Sequence, residues 1–204
     1  MDFSLVTRFA DPTGRCSNPR MINAVAALCG VALASDAEIE AGRQLAEAKI
    51  GDGVAAISTL RAVQEITGSS VFVVRKGANV TGLTAFFLLR ESGMRALEAL
   101  RFDTATVDLD HVCRPHEPPA GGYAWGFVAD NEFAAGLVVN ASVMVRETLF
   151  WNLPGYARAA TDDGARVVFR RLGFKRVPGD ATLARQEARS APFEGWPVRA
   201  PAAA

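Results

Sequence analysis

Val167-Val168-Phe169-Arg170-Arg171-Leu172-Gly173-Phe174-Lys175-Arg176-Val177 is the stretch whose reading decides the fold. It begins as a helix and ends as a strand. A glycine at the hinge takes the left-handed conformation that terminates a helix without a Cβ penalty. Leu172 and Phe174, on either side of Gly173, are expected to bury at the corner, and Lys175 to Val177 to run on as a strand.

Working outward, Thr161-Asp162-Asp163 caps the helix from Gly164 to Leu172, and Tyr156 to Ala160 reads as a short strand before it. Pro154-Gly155 breaks a mainly apolar helix that runs from Phe133 to about Phe150. Tyr123 to Ala129 (YAWGFVA) is a strand. Further upstream, Ser70 to Arg75 (SVFVVR) and Val80 to Arg90 (VTGLTAFFLLR) are β-branched and aromatic around the turn Lys76 to Asn79, as a hairpin requires. Glu91 to Leu100 has helical character, with Met94, Leu97 and Leu100 three apart, and a polar, Pro-containing connection follows over 103–122.

The first third is helical. Asn18 with Pro19 at the first helical position opens a helix to about Leu28. Ser35 and Glu38 match a capping box for a second helix to Ile50, stopped by Gly51-Asp52-Gly53. Val54, Ile57, Leu60 and Val63 make the stripe of a third, closed by Gly68. Helices followed by a hairpin and then β-α-β-α-β give an α/β (α+β) chain with a mixed sheet. The expected boundaries are a partly helical N-terminal extension over 1–35, a domain over 36–178 and a loosely attached tail over 179–204.

This succession resembles the GNAT (GCN5-related N-acetyltransferase) superfamily, of which the chain is read as a divergent member. The Leu172-Gly173-Phe174 corner is similar to the end of that fold, Tyr123 to Ala129 looks like its fourth strand, and the hairpin fits its second and third strands. The resemblance covers about residues 54–178. It implies a mostly antiparallel central sheet flanked by helices and an acyl-CoA-dependent N-acyltransferase acting on an amine of a small molecule or peptide. The co-substrate it implies is acetyl-CoA or another acyl-CoA. Asp130 to Gly136 falls where the family keeps its pyrophosphate loop, with Asn131, Ala134 and Gly136 at the motif positions and Ala135 between them. A helix N-terminus with small side chains lets backbone N–H groups approach phosphates. Asn131 replaces the usual Gln or Arg, and Glu132 places an anion beside the site. Phe127 and Val128 are the implied backbone donors on the fourth strand. Phe169 stands at the position of the family's acid Tyr and is kept as a cofactor contact.

Acyl transfer needs a base for the amine, a donor for the oxyanion and an acid for the departing thiolate. The fourth strand carries no carboxylate before Asp130. Tyr123 or Tyr156 substitutes for the missing acid, and Asp108, Asp110, His111 or Glu117 supplies the base if the 103–122 connection folds over the acceptor pocket. The candidates carried forward are Tyr123, Glu117 and Asp108. The same connection holds both histidines and Cys113, which allows a metal site, although the spacing matches no metal motif; a solvated polar connector is the third reading. A module of this fold that has lost its chemistry and binds a ligand or partner is the alternative function.

Composition bounds the rest. The 204 residues suit one large domain or a domain with an extra module, half of them hydrophobic, with 22 basic and 22 acidic residues and hence no net field toward nucleic acid or anionic lipid. A helix-turn-helix over 36–67 offers only Arg61 and Gln64 as base readers beside Glu65, so no nucleic acid is expected. Three widely spaced cysteines are no disulfide framework and favour a reducing, cytoplasmic setting. Ile22 to Ala34 faintly resembles a signal peptide, but Asn23 interrupts it and a buried helix is the reading adopted; no apolar run is long enough to span a membrane. Arg170 and Arg171 present planar forks of donors that could reach phosphates, and solvation is the reading favoured. Phe193 and Trp196 are read as docking on the domain or on a second subunit, which would make a homodimer.

Overall fold

The computed structural model describes residues 8–51 and 53–194. Helix α1 (Pro19–Leu28) starts as expected, with the Asn18 carboxamide oxygen accepting the Arg20 N–H at 3.0 Å. A two-residue strand, β1 (Ala32–Leu33), follows, then α2 (Asp36–Ile50) and α3 (Ile57–Thr67). The Ser35–Glu38 box forms, the Glu38 carboxylate accepting the Ser35 N–H at 2.8 Å. Helix α3 begins at Ile57 rather than Val54, and Gly68 closes it in the left-handed region at φ 67°. The hairpin β2 (Val71–Lys76) and β3 (Asn79–Leu89) leads to α4 (Glu91–Glu98), and an irregular connection with one 3₁₀ turn at Leu109–His111 leads to β4 (Gly121–Ala129).

Helix α5 (Glu132–Leu149) runs antiparallel to β4 beneath the sheet and is followed by β5 (Gly155–Arg158). The next helix departs from the regular one expected. Only α6 (Asp162–Ala165) is α-helical, and it continues as a π-helix over Arg166–Arg171. The widened turn shows in the Leu172 N–H, which donates to Val167 O five residues back at 2.9 Å. The Leu172-Gly173-Phe174 corner then closes it: Gly173 has φ 71°, and the Phe174 N–H donates to Val168 O six residues back at 3.1 Å, one residue wider than a Schellman closure, as the π-turn before it requires. Phe174 buries with Ala157, Val168 and Ala184, while Leu172 stays half-buried.

Strand β6 (Lys175–Arg176) is short, and the chain turns back at Asp180 into β7 (Leu183–Gln186). Asp180 Oδ1 accepts the N–H groups of Thr182 and Leu183, and its other oxygen meets Arg158, so the turn is nailed to β5. The tail expected to hang loosely therefore supplies a strand. It was missed because Leu-Ala-Arg-Gln is short and lacks a β-branched residue. Residues 195–204, Trp196 among them, lie outside the described residues.

The result is a mixed, mostly antiparallel seven-stranded sheet in the order β1-β2-β3-β4-β5-β7-β6, flanked by helices as expected. Among the described residues only β4 and β5 run parallel. One face is covered by α5 and α1, where Ile22, Val25 and Ala26 share a core with Phe72, Phe86, Val138 and Met144. The segment read as an N-terminal extension thus packs into that core, and Trp151 Nε1 further donates to Asp11 O at 2.9 Å. The other face carries α2, α3 and α4 over Leu83, Ala85, Phe87 and Tyr123.

Candidate functional site

The single parallel pair is the feature that builds a site. Strands β4 and β5 pair only over Gly122↔Gly155, Tyr123↔Tyr156 and Ala124↔Ala157, whereas β4 continues five residues further to Ala129 and, apart from Trp125, stays paired with β3. The parting has a local cause. Partner positions shift from Ala85↔Gly126 to Phe86↔Ala124, which leaves Trp125 as an extra residue, a β-bulge that bends and twists the strand. Trp125 is held by its indole N–H on Thr104 O at 2.8 Å.

Beyond the bulge the backbone of β4 has a free side. The Asp130 N–H donates to Thr81 O at the end of β3. By the alternation of a strand, the Val128 N–H also faces β3, while the N–H groups of Phe127 and Ala129 face the side that β5 has left. A Cβ placed on Gly126 would meet nothing within 4 Å. Phe127 packs toward α5, and Val128 buries on the opposite face with α2 and α3.

The N-terminus of α5 follows directly. Asn131 caps it, its side-chain oxygen accepting the Ala134 N–H at 2.9 Å, so one of the free helix donors is already satisfied. Ala134 is buried, and its Cβ lies 3.3 Å from where a Cβ on Gly82 would sit, so its smallness serves helix-to-sheet packing. Ala135 is half-buried, its N–H on Asn131 O, and Gly136 faces open space. Asp130 and Glu132 flank this end, and neither has an ion-pair partner among the described residues. Two carboxylates thus occupy the positive end of the helix dipole, where a phosphate would have to settle. The open β4 edge leaves backbone N–H groups free to meet a ligand's carbonyl groups; the acidic helix end does not favour an anion.

A cavity of about 500 Å³ lies below the split, between the C-terminal two-thirds of α5 and the π-helix. Its wall is mostly apolar, with Phe86, Leu88, Val143, Phe150 and Leu153, and Ala124 and Phe127 connect it to the parting strands. Its charged residues are Arg146, Glu147, Arg170, Arg171 and Arg189. Glu147 is only 2% exposed and meets Arg189 at 3.0 Å and Arg146 at 3.3 Å. Burial holds the Arg146 guanidinium below its ordinary pKa, with Glu147 opposing.

No family model and no curated protein matches this sequence. A solved structure described as histone acetyltransferase HPA2 and related acetyltransferase from Corynebacterium glutamicum is similar to the chain, at 15% identity over 78% of this chain and 96% of that one, with a TM-score of 0.44. The mixed, mostly antiparallel sheet with helices on both faces is the architecture that the resemblance to the GNAT superfamily implies.

Of the other residues singled out from the sequence, Tyr123 and Tyr156 are partners across β4 and β5 and both line the cavity, while the rest are scattered. Tyr123 is 1% exposed; its ring packs between Phe87 and Phe102 on the α4 side, and burial pushes its phenol far above the ordinary value. Tyr156 is likewise raised by burial and donates to Glu98 Oε1 at 2.5 Å. Glu117 forms a two-pronged pair with Arg90 at 2.9 and 2.6 Å and also accepts the Arg114 N–H, which holds its carboxyl below the usual range. Asp108 caps the 3₁₀ turn through the Asp110 N–H. Neither Asp108 nor Glu117 lines the cavity. His111 stacks on Phe102, and among the described residues no group of three His, Cys, Asp or Glu side chains could hold a metal. Phe169 lies under the Arg176 guanidinium, 4.4 Å from the ring centroid, and is absent from the cavity wall. The Arg146–Glu147–Arg189 cluster was not singled out from the sequence. Its signal was there: a charged pair inside the apolar run Val143 to Phe150, where charges survive only when paired.

Proposed function

We propose that the chain binds an acyl-CoA along the open edge of β4 and transfers its acyl group to an amine. The observation that carries this reading is the parting of β4 from β5 after Ala124–Ala157, with the Phe127 and Ala129 N–H groups turned to the vacated side. A preorganised backbone N–H is a sufficient oxyanion donor, because it needs no particular side chain and no reorganisation. In the step itself the amine nitrogen forms a bond to the thioester carbonyl carbon, the carbonyl oxygen gathers charge at the Phe127 N–H, and the C–S bond breaks as the sulfur leaves. The proton the nitrogen loses ends on the thiolate or in solvent. Asp108 and Glu117 are engaged elsewhere, so the acceptor must arrive as the neutral amine. The rate then rises with pH toward the pKa of the acceptor, about 10 for a lysine-like amine.

Calorimetric titration with acetyl-CoA tests the reading, with two proline variants as its controls. F127P removes a donor that faces away from β3 and should weaken binding by about two- to tenfold and slow transfer further, with the fold intact; V128P removes a ladder bond and should unfold the sheet. Absence of binding to the wild-type protein at about millimolar acetyl-CoA, a Kd worth only about 4 kcal/mol, would sink the proposal.

A second reading, a module that binds without transferring, is favoured by Phe169, which offers no hydroxyl, and by the carboxylates at the α5 N-terminus. Binding of acetyl-CoA with no release of free thiol across a panel of amines would select it.

A further inference from the structure

The cavity between α5 and the π-helix carries a charge imbalance that acyl-CoA binding at the split does not use. Its wall holds four arginines against one carboxylate. Glu147 is shared by Arg146 and Arg189. Arg170 and Arg171 are exposed, mark where the cavity opens, and have no ion-pair partner among the described residues. At the inner end two arginines share that one carboxylate, and the Nε atoms of Arg146 and Arg189 and Oε2 of Glu147 are buried without hydrogen-bond partners. Excess positive charge beside an apolar, low-dielectric wall is costly unless an anion arrives to balance it. The volume falls within the roughly 300–1,000 Å³ of small-molecule sites, which pair an apolar lining with a few placed polar groups.

We propose that this cavity binds an amphiphilic carboxylate, its hydrocarbon or aromatic body among Phe86, Leu88, Val143 and Phe150 and its carboxylate at Arg170 and Arg171. The guanidinium fork matches a carboxylate with two parallel hydrogen bonds, so the head group is recognised by geometry as well as charge. The site is separate from the α5 N-terminus. Residues of α5 enter the cavity wall only from Val139 onward, eight positions past Asn131 and so about 12 Å down the helix. The π-helix makes the room, since its wide turn carries Arg170 and Arg171 past the position a regular helix would give them.

The test is calorimetric titration with decanoate, with decanol as the head-group control. Decanoate should bind and decanol at least tenfold more weakly, in keeping with the strength of charge-assisted hydrogen bonds. R170A/R171A, changes at exposed positions that leave the core alone, should weaken decanoate by about tenfold or more and leave decanol unchanged. V143F, which fills the cavity, should remove both. Decanoate binding should persist with acetyl-CoA at saturation. The inference is overturned if decanoate does not bind at about 1 mM, if decanol binds equally well, if R170A/R171A binds decanoate like the wild type, or if acetyl-CoA displaces it.

Discussion

Glu38 of α2 and Arg75 of β2 form a two-pronged ion pair, Nε to Oε1 at 2.5 Å and Nη2 to Oε2 at 3.0 Å, that fastens the second helix to the sheet. The same carboxylate caps α2 through Ser35. Hydrogen bonding to Arg75, joined by the Ser35 donors, holds the Glu38 pKa at about 2. The unfolded chain binds that proton near pH 4.3. A depressed folded value means that the stabilisation is complete above about pH 4.3 and is lost as pH falls toward 2. Chemical denaturation between pH 7 and 2 should show this acid limb, and E38Q should flatten it, at a cost at neutral pH of about 1 kcal/mol or less for a partly exposed pair.

Glycine-to-alanine changes should have opposite signs in two helices. At Gly93 of α4 an added Cβ would come 2.4 Å from the backbone oxygen of His111, which cannot yield cheaply. G93A should therefore cost about 1–3 kcal/mol in urea denaturation. At Gly136 of α5 nothing lies within 4 Å. G136A should gain about 0.5–1 kcal/mol from helix propensity.

Removing Glu147 should be severe. E147A leaves Arg146 and Arg189 facing each other without their shared carboxylate, an uncompensated buried charge worth about 3–5 kcal/mol. R146M/E147M/R189M, which removes all three charges, should recover much of that loss. Thermal and denaturant unfolding of the two variants provides the comparison.

The two carboxylates at the α5 N-terminus should weaken acyl-CoA binding. A charge at a helix N-terminus is worth about 0.3–1 kcal/mol, so removing Glu132 of the first turn and Asp130 just before the cap in D130N/E132Q should tighten acetyl-CoA by about three- to thirty-fold at most. An unchanged Kd by calorimetry would mean that the phosphates bind away from this helix end.

The corner at Gly173 was legible in the sequence because a left-handed residue at a helix end leaves few alternatives to glycine, and the caps at Asn18 and Ser35 because each is a local hydrogen-bond pattern. The split was not. It depends on the bulge at Trp125, and nothing in Tyr-Ala-Trp-Gly-Phe-Val-Ala says where an extra residue will sit. The cavity was hidden for a similar reason: Arg166 to Arg171 read as an ordinary helix, and the π-turn that widens it is set by what packs around it. Glu117 and Asp108 were drawn toward chemistry by the density of ionisable groups near them. In the folded chain that density is spent on a pair with Arg90 and on a turn cap, bonds between groups whose meeting only the fold decides.

Strand β7 lies between β5 and β6 although it follows both in the chain. During synthesis at about 5–20 residues per second, β5 must therefore wait roughly 1–6 s for the segment that closes its edge. Until Leu183 to Gln186 leave the ribosome, the side of β5 away from β4 presents bare backbone to whatever other chain is near. A nascent chain halted after β6 would therefore be a substrate for chaperones rather than a shortened version of the same protein.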